Sequence, residues 1–275
     1  MQNFLLSRRF LWSLTFVTFC GQLTTLIAPA GADEPKQPAD GEVKTKLEID
    51  IDRSLAQYKV FVDDDPEPLT VLPVLTWDNP IAGTLGKFRT VLFIQDGQAK
   101  AACCIWSSAN NQLYHEFGSL TRKGLRGQLN GAKKWAMDAG SVEFRPVPKC
   151  DPPAEDRRRR LLQIKKLIER FTAIETKSRK FEPTKEHLRL LTTPLYRYEK
   201  ERDQIVDGAV FGFVHTTDPE ALVVLEAVRS GDSARWEYTF VRRTTMPVIG
   251  KLDKEQVWST DEAGYKSFNQ IPFRQ

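Results

Sequence analysis

The residue pair His115-Glu116 is the feature of this sequence that comes closest to a catalytic motif. A histidine followed by glutamate begins the helical zinc-protease motif, in which a second histidine stands four residues after the first. Here that position is Ser119, and the residues around it alternate in polarity as in a strand. The zinc motif is therefore excluded. A hydrolase whose site assembles around His115 and Glu116 with distant residues is the enzymatic alternative.

No other catalytic or cofactor motif is present in the sequence. There is no Gly-x-Ser-x-Gly elbow, no phosphate-binding glycine loop and no dinucleotide fingerprint. Cys103 and Cys104 are adjacent, and on a strand they would point to opposite faces. We interpret them as small apolar strand residues and Cys150 as a loop thiol; a disulfide to Cys150 is the alternative. These thiols have no histidine at ligand spacing, so the sequence predicts no metal site and no cofactor.

Aromatic residues on or near predicted strands are the main candidates for ligand binding. They are Trp77, Trp106, Tyr114, Tyr196, Tyr198, Trp236, Tyr238 and Trp258. Aromatic strand residues usually pack in the core or across strands. Some could instead form an exposed platform for a sugar ring or a peptide, with arginine as a polar contact. On that hypothesis the candidate binding residues are Arg189, Tyr196, Arg197, Tyr198 and Trp236.

Residues 1–32 have the pattern of a secretory signal peptide. A start with two arginines and no acid is followed by an apolar stretch to Ile27 and by the small residues Ala30 and Ala32. This pattern predicts cleavage between Ala32 and Asp33; an uncleaved anchor is the alternative. We therefore expect an exported protein, periplasmic or secreted.

The charge balance bears on the partners of the exported chain. The sequence has 40 Lys and Arg, two of them in the predicted signal peptide, so 38 basic residues face 36 acidic ones. Such a balance argues against nucleic acid as a partner. After Ile27 no apolar run is long enough to span a bilayer, so we expect no membrane span in the mature chain.

The pattern along the mature chain predicts a mainly β fold with one long helix, built from antiparallel meanders. We expect a polar lead-in over residues 33–68, a first β-meander over 69–148, a linking amphipathic helix within 149–185 and a second meander over 186–275. Within the lead-in, the alternating residues Leu47–Ile51 could form a strand. The linking helix is predicted over residues 152–178, capped by Asp151. The two meanders are expected to pack as one unit.

The two strand-rich sections can be aligned at an offset of about 120 residues. Phe93-Ile94 falls on Phe213-Val214, Ala99–Trp106 on Ala221–Val228, His115–Phe117 on Trp236–Tyr238, and Trp135 near Trp258. This order favours an internal duplication, and a pseudo-duplicated sandwich is one arrangement that would follow. The alternative is a chance match, because alternating strands align easily with one another.

Two charge runs are conspicuous. Four consecutive arginines, Arg157 to Arg160, spread around a helix rather than forming one patch, so we interpret them as a solvated helix face and not as a phosphate site. The acidic run from Asp63 to Glu67 lacks the ligand spacing of a calcium loop. We interpret it as a solvated turn.

The second half of the chain resembles a known family. The segment LRLLTTPLYRYE at residues 188–199, then DGAVFGFV at 207–214 and TDPE at 217–220, is similar to a family of uncharacterised exported bacterial proteins. The residues Trp77 to Pro80 and His115 to Phe117 are similar to the same family, and the resemblance covers most of residues 58–258. No activity is assigned to that family, so the resemblance implies export and no catalytic residue.

Without a catalytic constellation, the sequence favours a non-enzymatic exported module. We expect it to bind an envelope or extracellular ligand or protein, whose identity the sequence does not reveal. The hydrolase assembled around His115 and Glu116 is the alternative.

Overall fold

The computed structural model describes residues 45–79, 84–107, 112–177, 182–199, 204–231, 233–263 and 270–273. The predicted signal peptide and its cleavage site lie outside these ranges. Neither helix in the described ranges has the length and apolar character that a membrane span requires.

Within these ranges the chain forms antiparallel β-sheets with two short helices. The helices are α1 (Lys46–Ala56) and α2 (Arg157–Ile168). The strands are β1 (Tyr58–Val62), β2 (Thr70–Asn79), β3 (Thr84–Gln95), β4 (Gln98–Ser107), β5 (Leu113–Ser119), β6 (Leu125–Leu129), β7 (Ala132–Met137), β8 (Arg145–Pro146), β9 (Phe171–Lys177), β10 (Thr184–Leu190), β11 (Tyr196–Glu199), β12 (Ile205–His215), β13 (Asp218–Ser230), β14 (Ser233–Arg242), β15 (Val248–Leu252), β16 (Glu255–Thr260) and β17 (Gln270–Phe273). The prediction of a mainly β fold with antiparallel sheets is confirmed, whereas the prediction of one long helix is wrong.

The helix α1 replaces the strand predicted at Leu47–Ile51. Thr45 caps its first turn, because the Thr45 hydroxyl accepts from the backbone of Glu48 while the Glu48 carboxylate accepts from the backbone of Thr45. Ile51 and Leu55 are buried and lie four residues apart, which puts them on one face. Ile49, which completed the apparent alternation, is exposed.

The helix α2 is shorter than predicted. Its cap is Asp156, whose carboxylate accepts from the backbone of Arg159 at 2.9 Å, and not Asp151. It ends at Ile168, and β9 begins three residues later. Phe171 and Ile174, which matched a helical period, therefore lie on a strand. Their spacing alone did not distinguish the two structures.

The strands that follow α1 and α2 are connected in the same order. After α1, β1 pairs with β6 and β6 with β7, while β2, β3, β4 and β5 pair in succession. After α2, β9 pairs with β15 and β15 with β16, while β10, β12, β13 and β14 pair in succession, with β11 also on β12. We call residues 46–137 the first half and residues 157–260 the second half.

Each half extends into the sheet of the other. The short strand β8 follows the first half but pairs with β14 at Tyr238 and Glu237. The strand β17 follows the second half but pairs with β5, where Gln270 lies opposite Glu116. These exchanged strands join the two halves at corresponding edges.

A glycine lies opposite a tryptophan at the same place in each half. Gly127 on β6 faces Trp135 on β7, and Gly250 on β15 faces Trp258 on β16, and in each pair the register shifts at the next residue. A Cβ atom at Gly127 would overlap the ring of Trp135. The ring of Trp135 therefore leaves no room for a side chain at Gly127.

The core consists of three clusters of buried side chains. One lies between α1 and its sheet, with Ile51 and Phe117 among its members. A second lies between α2 and the second sheet, with Ile164 and Phe213. The third contains residues of both halves, on β3, β4, β12 and β13. We call the layer around this third cluster the seam.

The prediction that the four consecutive arginines form a solvated helix face is wrong for Arg160. Its side chain is only 2% exposed, and its Nε donates to Asp207 at 2.8 Å. Arg197 also contacts Asp207, at 2.6 Å, and Glu199 at 2.7 Å. Four arginines in a row therefore include one that anchors the helix to the sheet, because Arg160 points inward while Arg158 is exposed.

We expect Arg160→Met to lower the free energy of unfolding by about 3 kcal/mol, because it removes a buried cation and leaves Asp207 with one partner fewer. Urea unfolding at pH 7 measures this. The matched control is Arg158→Met on the same helix, which should change the free energy by less than about 0.5 kcal/mol. Equal effects of the two substitutions would contradict the anchoring role.

Candidate functional site

The two candidate catalytic residues lie on opposite faces of β5. The imidazole of His115 is fully buried beneath α1, with Nε2 2.9 Å from the Ser54 hydroxyl and the ring edge-on to Tyr58 at 4.6 Å. Burial lowers the pKa of His115 to about 3. Glu116 lies on the other face, toward the second half, where its backbone carbonyl accepts from Arg243. The structure does not bring the two side chains to one point.

The five predicted binding residues do not form a shared platform. Trp236 is buried in the α2 core, and Arg197 binds Asp207. Tyr198 is buried at the seam, with its hydroxyl donating to Glu226 at 2.6 Å.

The remaining two contact loops. The Tyr196 hydroxyl donates to the carbonyl of Gly97 at 2.9 Å, and Arg189 donates to the carbonyl of Thr216 at 3.1 Å. The polar groups of Tyr196 and Arg189 are therefore bonded to backbone carbonyls of the fold and do not form an open binding surface.

A cleft of about 420 Å³ opens between the halves. Its walls are the end of β5 and residues 137–145 on one side, and β14 and β16 on the other. The lining side chains are Phe117, Ser119, Met137, Ser141, Val142, Glu143, Arg145, Tyr238, Thr239, Phe240, Val241, Arg242, Val257, Trp258 and Thr260, with Gly118 between them. Most of this lining is apolar or aromatic.

Trp258 is the half-exposed aromatic residue of the cleft. Its ring stacks on Phe240 with centroids 5.3 Å apart and planes 11° apart. The corresponding residue of the first half, Trp135, is 7% exposed and packs on Phe117 at 4.7 Å. Trp258 therefore presents an aromatic face to the cleft, whereas the corresponding ring of Trp135 is covered by its neighbours within the first half.

The charged residues of the cleft are already engaged. Arg145 donates to Glu143 at 2.6 Å and to the carbonyl of Val257 at 2.7 Å. Arg242 donates to the carbonyls of Thr244 at 2.6 Å and Thr245 at 2.8 Å. These contacts fix the rim and leave no acid–base pair aimed at the apolar wall.

A buried arginine lies beneath the cleft. Arg243 is 1% exposed, and its Nη2 donates to the carbonyl of Glu116. Its Nε and Nη1 have no hydrogen-bond partner among the described residues. Gly118 makes room for it, because a Cβ there would lie 2.9 Å from Nη1 of Arg243.

Two carboxylates, Glu116 and Asp218, interact with this arginine. Burial raises the pKa of Asp218 to about 8, with Glu116 and Glu175 adding to the shift and Arg243 opposing it. Burial also raises the pKa of Glu220, and the neighbouring Asp218 adds to that shift. Such perturbed acids are typical of functional centres, although structural networks also produce them.

A second arginine centre crosses the seam. Arg122 of the first half donates to Glu226 at 2.6 Å and also to Glu237, and its guanidinium lies 3.6 Å from the centroid of the Phe144 ring. Glu226 also accepts from Tyr198. Arg235 also pairs with Glu237, at 2.7 Å, so two arginines face two carboxylates and this centre is compensated in charge.

The remaining candidates have structural roles. Cys103, Cys104 and Cys150 are free thiols, as the favoured interpretation held. The acidic turn is tied to the fold, since Asp63 accepts from the backbone of Gly124 at 2.7 Å. Within the described ranges no group of three or more His, Cys, Asp or Glu is arranged to hold a metal ion.

Comparison of the chain with protein-family models, with curated proteins and with solved structures gives no match. The function is therefore inferred from the geometry of the cleft and of the seam.

We expect His115 to stay neutral throughout the physiological range. Because its pKa falls from 6.5 to about 3 on folding, the unfolded chain binds more protons between these values, and stability drops as the pH falls from about 6.5 toward 3. The His115 ring-proton shifts, followed by NMR from pH 4 to 8 and assigned with His115→Gln, should not titrate. A midpoint near 6.5 would contradict the buried, neutral state.

Proposed function

We propose that this protein is a non-enzymatic exported module that binds an apolar small ligand in the cleft between β5 and β14. The observation that carries the proposal is the half-exposed ring of Trp258, stacked on Phe240 in a cleft of about 420 Å³. Ligand sites commonly have volumes of about 300–1,000 Å³ and mostly apolar walls with few polar groups.

The lining indicates the chemistry of the ligand. A flat or chain-like apolar group would lie against Trp258 and Phe240, where removing apolar surface from water supplies the free energy of binding. The hydroxyls of Ser141 and Thr260 and the fixed guanidinium of Arg145 line the same cleft. We therefore infer a ligand with an apolar body and one uncharged or weakly anionic polar group.

The hydrolase alternative has less support. His115 is held under α1 and kept neutral, while Glu116 faces away from it across β5. General acid–base catalysis needs both groups within reach of one substrate atom. Neither side chain is among those that line the cleft.

Export is part of the proposal. It is supported by the signal-like pattern of residues 1–32 and by the resemblance to exported proteins carried by residues 188–220.

We also propose that the halves arose by duplication and form a sandwich around the seam. The support is the same strand order after α1 and α2, the corresponding Gly–Trp pairs, and the cluster of apolar residues shared by both sheets.

A fluorescent apolar probe, N-phenyl-1-naphthylamine, tests the binding proposal. We expect it to bind the purified protein, and Trp258→Leu to weaken binding about tenfold, equivalent to about 1.4 kcal/mol. The matched control is Trp106→Leu, because Trp106 is also half-exposed and stacks on Tyr114 at 4.6 Å but lies outside the cleft lining.

The control should bind the probe like the unaltered protein, and circular dichroism establishes that both variants fold. Equal affinity of the Trp258 variant, the Trp106 variant and the unaltered protein would refute the cleft as the binding site.

A further inference from the structure

We propose that a second cavity, beside the C-terminal half of α2, binds a small organic anion. We call it the α2 pocket. It has a volume of about 380 Å³ and is lined by residues 149–151, Gln163, Lys166, Leu167, Arg170 and Trp236. None of these residues lines the cleft to which Trp258 belongs. The proposal therefore goes beyond the function proposed above and does not rest on it.

The deep wall of the α2 pocket is apolar. Leu167 and Trp236 are 6% and 1% exposed and belong to the core beneath α2, against which the half-buried Cys150 packs. Burial raises the pKa of the Cys150 thiol, so at neutral pH the thiol stays protonated and adds no negative charge. Removing an apolar group of the ligand from water against this wall would favour binding.

The indole of Trp236 lacks a hydrogen-bond partner. Its Nε1 atom is buried and has no partner among the described residues. In the first half the ring beneath the helix is His115, and the Ser54 hydroxyl of α1 lies 2.9 Å from its Nε2 atom. In the second half the buried α2 residue that lines the pocket with Trp236 is Leu167, which has no polar side-chain atom. A buried donor without a partner is costly, and an acceptor on a ligand that reached it would satisfy it.

The rim of the pocket carries an excess of positive charge. The exposed side chains of Lys149 and Lys166 have no ion-pair or hydrogen-bond partner among the described residues. Asp151 is the acid in the lining, and Asp253 accepts from the Nε of Arg170 at 2.9 Å. Three cations therefore face two carboxylates, which leaves one positive charge. Charge-assisted hydrogen bonds from a lysine ammonium would hold an anionic group at this rim.

Hydrogen bonds of the lining fix the rim in place. Arg170 donates to the carbonyl of Pro148 at 2.8 Å. Gln163 donates to the carbonyl of Pro152 at 2.8 Å and accepts from the backbone of Ala154 at 2.8 Å. The chain is thus tied down on both sides of the rim residues. Binding would then require little ordering of the backbone, which preserves affinity.

These features together indicate the class of ligand. Its apolar body would lie against Leu167 and Trp236, and one carboxylate, sulfonate or phosphate group would lie near Lys149 and Lys166. The cavity has the size of a small-molecule site, so the expected ligand is a compact organic acid rather than a polymer.

The probe 8-anilinonaphthalene-1-sulfonate tests this, because it is N-phenyl-1-naphthylamine with an added sulfonate. We expect it to bind the purified protein, and Lys166→Gln to weaken binding by roughly fivefold or more at low ionic strength. The matched control is Lys165→Gln. Both lysines stand in the last turn of α2, where each compensates the helix dipole, but Lys165 does not line the pocket. The control should change the affinity by less than about twofold.

A second substitution at the rim is Lys149→Asn, since asparagine tolerates the φ of 50° at this position. It should weaken the probe as Lys166→Gln does, and circular dichroism establishes that each variant folds. Equal effects of Lys166→Gln and Lys165→Gln would overturn the pocket in favour of a general attraction to the basic face of α2. Loss of affinity in Trp258→Leu with none in Lys166→Gln would assign the anion to the cleft, and would overturn the proposal as well.

Alkylation of Cys150 locates the bound probe. Cys150 lines the pocket and is half-buried, whereas the thiols of Cys103 and Cys104 are buried. We expect saturating sulfonate probe to slow the reaction of Cys150 with iodoacetamide, followed by peptide mass spectrometry, by roughly threefold or more, because a ligand in the pocket restricts access to the thiol. N-phenyl-1-naphthylamine at the same concentration should leave the rate unchanged. An unchanged rate with saturating sulfonate probe would overturn the site, and equal protection by the two probes would overturn its selectivity for an anion.

Discussion

The burial of the central strands on both faces is the constraint on which the rest of the structure depends. Most strands at the centre of each half are buried on both faces, as β4 and β13 are along nearly their whole length. One face packs in the cluster beneath the helix of its own half, and the other packs in the seam, which contains residues of both halves. Cys103 accordingly lies in the α1 core and Ala102 in the seam.

This packing forces charged residues to be buried where the halves meet, and the two halves meet the requirement differently. Glu237 pairs across its sheet with Glu226, and both contact Arg122 from the other half. At the corresponding place in the first half, Glu116 pairs with Cys104, which cannot supply a second carboxylate to Arg243. One centre is thus an ion-paired joint. At the other centre, Asp218 at the start of β13 interacts with Glu116, Glu175 and Arg243.

A local sequence signal marks the hairpin that joins β3 and β4. The Asp96-Gly97 turn has positive φ at both residues, 50° and 76°, as a two-residue hairpin requires. The capping box of Thr45 and Glu48 is an equally local signal for α1, but the alternation of Leu47, Ile49 and Ile51 favours a strand at the same place. The cleft could not be predicted in this way. Its walls lie about 120 residues apart in the chain, and Trp258 differs from the buried strand aromatics only through its neighbours.

Those neighbours explain why Trp258 lines the cleft while Trp135 is buried. In the first half, Ser119 is small, so Trp135 can lie over Gly127. In the second half the corresponding strand position is Phe240, whose ring lies over Gly250, 2.8 Å from the position a Cβ would take. Trp258 is displaced from the glycine and stacks on the outer face of Phe240. If the halves arose by duplication, the larger side chain at Phe240 on β14 accounts for a tryptophan that lines the cleft in the second half and lies in the core in the first.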